Sequence, residues 1–155
     1  MTENQNQNVP SIQVNAQYIK DLSFEAPALP QILTEINSAP ATGVNIDIQV
    51  NKTDRDNMFT VELNVKASAQ TADTKKPIFI CELTYGALVT LDVPQEHVEP
   101  ILLVEIPQLL FPYARSIVAN TTREAGLPPL QINPIDFATL YREKVAQAQA
   151  QAQQK

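Results

Sequence analysis

Between residues 11 and 91, four separate stretches alternate apolar and polar side chains with a period of two, the pattern of strands with one buried face. In YIKDLSFEAP, residues 18–27, strict alternation puts Tyr18, Lys20, Leu22 and Phe24 on one face and Ile19, Asp21, Ser23 and Glu25 on the other, and Ala26-Pro27 ends the strand. The second stretch sets Val44, Ile46, Ile48 and Val50 against Asn45, Asp47 and Gln49, and NKTDRDN then supplies a turn. The third places Phe59, Val61, Leu63, Val65 and Ala67 inward and Thr60, Glu62, Asn64 and Lys66 outward. In the fourth, Phe79, Cys81, Leu83 and Tyr85 share one face and Ile78, Ile80, Glu82 and Thr84 the other, with Gly86 marking a bulge or bend. Four such strands form an antiparallel sheet with one apolar face that needs cover.

The rest of the chain has to provide that cover. PQEHVEPILLVEIP is apolar but cut by Pro94, Pro100 and Pro107, which predicts one short helix. A helix is expected over about 108–125, with Leu110, Tyr113, Ala114, Ile117 and Thr121 on its stripe, Pro112 in its first turn and Gly126 as its stop. The last helix is expected to start at Asn133 as N-cap and Pro134 as N1, with Asp136 complementing the dipole and Phe137, Leu140, Tyr141 and Val145 at helical spacing. Strands first and helices afterwards predict an α+β fold: a four-stranded antiparallel sheet with helices packed on one face.

The chain has 155 residues, 44% of them hydrophobic, enough for one domain that buries roughly 70% of the surface its unfolded chain exposes. That domain is assigned to residues 11–145. Residues 1–10 form a polar tail expected to be disordered, and the low-complexity Ala/Gln segment 146–155 can prolong a helix but has no apolar stripe to hold it down. The connection APALPQILTEINSAPATG is too long for a hairpin turn and carries Leu29, Ile32, Leu33 and Ile36, four aliphatics that a purely solvated loop has no reason to hold.

Chemistry is constrained by what is scarce. His97 is the only histidine and Cys81 the only cysteine, so neither a zinc site of usual ligands nor a relay of several imidazoles can be built. Cys81 alternates with Phe79 and Leu83 and reads as an inert buried thiol, and His97 beside Glu96 and Glu99 reads as a surface residue. Gly43, Gly86 and Gly126, the only glycines, stand too far apart for a phosphate-cradling loop. No catalytic residue and no cofactor is expected. The net charge is −6, and five of those six negative charges fall in residues 1–94, a balance that repels phosphates, so no nucleic-acid partner is expected. MTENQNQNVP has neither the basic nor the apolar part of a signal peptide, and no apolar run approaches about 18 residues, so a cytoplasmic protein without membrane insertion is expected. What remains is an interaction protein with an acidic sheet face and an apolar loop. A carboxylate on a strand is ordinarily solvated surface, and alternation alone leaves that explanation open.

KDLSFEAP (20–27), IFICELTYG (78–86), LLFPYAR (109–115) and LPPLQINPIDFATLY (127–141), in this order, resemble the SecB family of bacterial export chaperones. The resemblance implies an ATP-independent homotetramer, a dimer of dimers. Such a chaperone binds unfolded precursor proteins in the cytosol, keeps them translocation-competent and delivers them to the translocation ATPase SecA. It also implies that Asp21, Glu25, Ile80 and Glu82 meet the cationic, zinc-binding C-terminal segment of SecA. Leu29, Ile32, Leu33 and Ile36 with Leu130, Phe137, Leu140 and Tyr141 are the expected client-binding groove. The alternative is a general holdase or antitoxin-linked relative with the same fold and another recipient; a small-molecule binder or enzyme would need the Cys81–His97 pair.

Overall fold

The computed structural model describes residues 9–154, so the expected disorder of the N-terminal tail lies largely outside the described residues. Strands β1 (Ser11–Glu25), β2 (Ala41–Lys52), β3 (Met58–Gln70) and β4 (Pro77–Asp92) form one antiparallel sheet in the order β1-β4-β3-β2. The strands are those the alternation predicts; β2 and β3 run one to three residues beyond their alternating stretches, β1 starts seven residues earlier and β4 ends seven residues later. The inward face is apolar throughout its centre: Val61, Leu63 and Val65 of β3 sit opposite Ala87, Tyr85 and Leu83 of β4, and all six are buried. An α+β chain with helices on one face of the sheet is therefore the observed fold.

The expected short helix and the longer one that follows it are a single rod. α1 (Gln95–Pro100), a π turn (Ile101–Glu105) and α2 (Ile106–Glu124) run end to end. Pro107 cannot donate to the carbonyl four residues back, and its ring would crowd that carbonyl. The wider turn immediately before it, in which the Ile106 N–H bonds to the Ile101 carbonyl, makes room, so the proline is absorbed and the helix goes on. Pro112 consequently lies inside α2 and not in its first turn. The segment Gln95–Glu124 is long and apolar enough by composition to cross a membrane, but α2 lies across β3 and β4 and its apolar stripe is the lid of the core. That stripe is rotated from expectation: Leu110, Phe111, Ala114, Val118 and Thr122 are buried, while Tyr113 is half exposed, stacked on Tyr85 with ring centroids 6.0 Å apart.

Gly126, at φ +80°, ends α2 as expected. The following residues 127–136 are an extended strap tied to α2 from two sides. The buried Thr122 hydroxyl accepts the Leu130 N–H at 2.9 Å, and Arg115 Nε donates to the Ile132 carbonyl at 2.7 Å. These ties keep residues 133–135 out of the helix, so the N-cap is Asp136 and not Asn133. Its Oδ1 accepts the Thr139 N–H at 3.0 Å, and α3 (Phe137–Gln153) begins one residue later. Hydrogen bonds from Thr139 hold the Asp136 carboxyl below the usual carboxylate range. Phe137 is buried edge-on against Phe111, centroids 6.0 Å apart, and the Ala/Gln stretch continues α3 with exposed residues.

Three bulges interrupt the sheet, none at Gly86. β1 carries an extra residue at Asn15 and another at Lys20, and β4 carries one at Ile78. The last turns Ile78 into the core, against its expected outward position. The Lys20 bulge reverses the phase of β1: Phe24 and Leu22 pair with inward Cys81 and Leu83, but Tyr18 pairs with Gly86 on the open face. Ile19, expected beside Asp21, pairs instead with inward Tyr85. Gly86 itself is a point of close approach. A Cβ there would stand 2.8 Å from the Tyr18 ring and 2.9 Å from Glu62 Cγ.

Candidate functional site

On the open face, β1 and β4 bring the expected acidic residues together. Asp21 lies opposite Thr84, Ser23 opposite Glu82 and Glu25 opposite Ile80, so the two β1 carboxylates flank Glu82 on one side of the sheet. Four residues apart on a strand, Asp21 and Glu25 are about 13 Å from each other. Asp21 and Glu82 line a shallow cleft of about 270 Å³ together with Asn45, Asp47, Asn64 and Lys66. Asp47 and Lys66 are members of the cleft that the sequence reading placed on the polar face without assigning them a role. The signal was the same alternation, but only strand order shows that β2 and β3 lie next to the Asp21 end.

The chemistry of this surface is that of a rigid anionic platform. Glu82 Oε1 is 3.5 Å from Lys66 Nζ, both side chains more than half exposed, a pair worth about 0–1 kcal/mol and readily exchanged for an incoming cation. Thr84 donates to Asn64 Oδ1 at 2.9 Å and stiffens the cleft floor. Ile80, 40% exposed beside Glu25, adds an apolar contact.

On the opposite side of the sheet, the expected groove residues fall into two hollows. Ile36 and Leu130 line one of about 170 Å³ with Ile78, Phe79, Leu127 and Pro128. Phe137, Leu140 and Tyr141 line another of about 100 Å³ with Ile46, Ile48 and Leu103. Ile32 belongs to the core, 1% exposed, and anchors the β1–β2 connection, which Lys76 also ties down through a 2.6 Å ion pair with Glu35. Leu29 is half-buried against the core, and Leu33 is exposed and lines neither hollow. Leu140 is exposed at the rim of its hollow, whereas Phe137 forms a buried wall.

A third apolar surface was not assigned from sequence. The helices do not reach the β1 edge, so Ile12, Val14, Ile19 and Leu22 lie on the helix side of the sheet yet stay exposed, with Leu109 and Tyr113 of α2 nearby through the Tyr113–Tyr85 stack. The two bulges hid this strip by breaking its alternation. Cys81 is fully buried, and its thiol is pushed up by burial and then by Glu82, as befits an inert core residue; His97 is exposed on α1.

The SecB family model, preprotein translocase subunit SecB, matches residues 4–148. The chain belongs to the SecB family. It is 48% identical over 151 residues to protein-export protein SecB 1 of Gluconobacter oxydans, covering 91% of this chain and 87% of that protein. With protein-export protein SecB of Gluconacetobacter diazotrophicus it shares 47% over 149 residues, covering 89% and 87%. Among solved structures, a SecB-like chaperone of Mycobacterium tuberculosis in complex with a ChAD peptide from an antitoxin aligns with TM-score 0.63 and 15% identity, covering 80% of this chain and 90% of that one. At that identity the likeness is one of fold. In this chain the acidic cleft and the apolar hollows lie on opposite faces of one sheet.

Proposed function

We propose that this SecB-family chain is a non-enzymatic, ATP-independent chaperone of the cytosol. A single domain, residues 11–145, holds unfolded precursor proteins in a translocation-competent state and delivers them to SecA. The observation that carries the reading is the division of labour across the sheet: carboxylates and Ile80 on the open face, apolar hollows behind it. A platform of Asp21, Glu25 and Glu82 suits the cationic C-terminal segment of SecA. Small hollows bearing Ile36, Leu130, Leu140 and Tyr141, joined by Leu29 and Leu33 and by Ile32 and Phe137 when the loop and α3 loosen, suit many weak contacts with chains of no fixed sequence. The relatives at 48% and 47% identity are named export proteins and the antitoxin-bound chaperone stands at 15%, which favours export over an antitoxin-linked role.

The exposed strip Ile12, Val14, Ile19 and Leu22, at the edge of the sheet where β1 has a free side, supports assembly into a homotetramer, a dimer of dimers. The test of the whole reading is a refolding assay without nucleotide, run beside SecA binding. The protein delays refolding of a slow-folding precursor, and charge reversal at Asp21, Glu25 or Glu82 weakens SecA binding while sparing that delay. Equal loss of both activities contradicts two surfaces.

A further inference from the structure

The open face holds one carboxylate that is not available for docking. Glu62 is 4% exposed, whereas Asp21, Glu25, Asp47 and Glu82 on the same face are exposed. Tyr18 donates its hydroxyl to Glu62 Oε1 at 3.1 Å, and Lys20 Nζ reaches both carboxylate oxygens, at 3.1 and 3.3 Å. Gly86 leaves the space in which this cluster sits, since any side chain there would collide with the Tyr18 ring and with Glu62 itself. The two residues that Glu62 holds are the last outward residue before the β1 bulge and the bulged residue.

That position has a consequence for the docking face. In an unbulged strand, outward Tyr18 would put Lys20, Leu22 and Phe24 outward and turn Asp21, Ser23 and Glu25 into the core, because a slip of one residue exchanges the faces. The extra residue at Lys20 allows Tyr18 and, three positions on, Asp21 to share the open face. We propose that Glu62 is a positioning residue for the acidic platform: through Tyr18 and Lys20 it pins the β1 bulge and so sets the outward phase of Asp21 and Glu25. This rests on the reading of that platform as the site for SecA. The raised Tyr18 pKa, about 12 and caused first by burial and then by its bond to Glu62, agrees with a clasp already formed in the free chain.

The test uses the intact protein titrated with a zinc-loaded synthetic copy of the C-terminal segment of SecA, with amide hydrogen exchange followed at residues 19–22. Glu62→Leu, which cannot accept either bond, is expected to lower affinity at least fivefold and to speed exchange around the bulge, with the refolding delay of a client unchanged. Glu62→Gln keeps an acceptor oxygen and is expected to restore affinity to within twofold of the parent. Lys20→Met, at an exposed side chain that folding tolerates, separates geometry from charge: the clasp predicts weaker binding, whereas a simple field effect predicts stronger binding once a cation beside Asp21 is gone. Asp21→Lys serves as the reference. If Asp21→Lys weakens binding and Glu62→Leu and Lys20→Met do not, the clasp is overturned and the docking face stands. If Asp21→Lys itself leaves binding unchanged, the docking reading fails and the role of Glu62 in it fails too.

Discussion

Gly86 shows how a single missing side chain organises the open face. An Ala Cβ at that position would have to move the Tyr18 ring or the Glu62 side chain, each less than 3 Å away. Overpacking of this kind costs about 1–3 kcal/mol, so Gly86→Ala is expected to lower the urea midpoint, and an unchanged midpoint would show that the cluster yields freely. Tyr18 gives a second prediction. Its folded pKa, raised from 10.0 to about 12 by burial first and Glu62 second, means that folding favours the neutral phenol. The stabilisation is complete below the unfolded value near pH 10 and is lost as pH rises through about 12. Unfolding free energy should therefore fall between those limits, and Tyr18→Phe should make the fall smaller, leaving the part due to Tyr85, whose phenol burial also pushes up. The sequence showed Tyr18 as an aromatic residue in an alternating run and placed it on the face of Leu22 and Phe24. Alternation counts residues and cannot register an extra one, so the Lys20 bulge was invisible and with it the real neighbours of Tyr18.

At the scale of elements, strands were legible where each has one wet and one dry face, but their order was not, because β1 pairs with β4 and the β1–β2 connection is no hairpin. The helical half was less so. Three prolines looked like breaks because each removes a donor, yet a π turn accommodates Pro107 and the rod continues. Asn133-Pro134 looked like a helix start because the residue types fit, but the strap bonded to Thr122 and Arg115 keeps that stretch extended until Asp136. Long-range hydrogen bonds overrode a local signal. Thr122→Val tests the strap: it preserves shape, leaves the partly buried Leu130 N–H without its acceptor, and is expected to cost about 1–3 kcal/mol while accelerating amide exchange at Leu130. No change in either would mean that the strap is held by its apolar contacts alone.

Over the whole molecule, the acidic residues of the platform were legible individually, and family resemblance joined them; their common face follows from strand order and from the bulge. The client residues were legible as apolar and loop-borne, but burial divides them between two hollows and the core, which spacing cannot reveal. The β1 strip makes a prediction at this scale. Light scattering should give the mass of four chains, and Ile19→Lys combined with Leu22→Lys, both exposed in the isolated chain, should yield a smaller assembly that still folds. A tetramer unaffected by both substitutions would place the assembly surface elsewhere.

The two faces of the sheet are the centre of the account, and the most direct measurement reads both at once. SecA affinity and the refolding delay of a slow-folding precursor are determined on the same preparations of the parent protein and of Asp21→Lys/Glu25→Lys. The account predicts at least a tenfold loss of SecA affinity with the delay unchanged. Unchanged affinity, or a parallel loss of both activities, would contradict it.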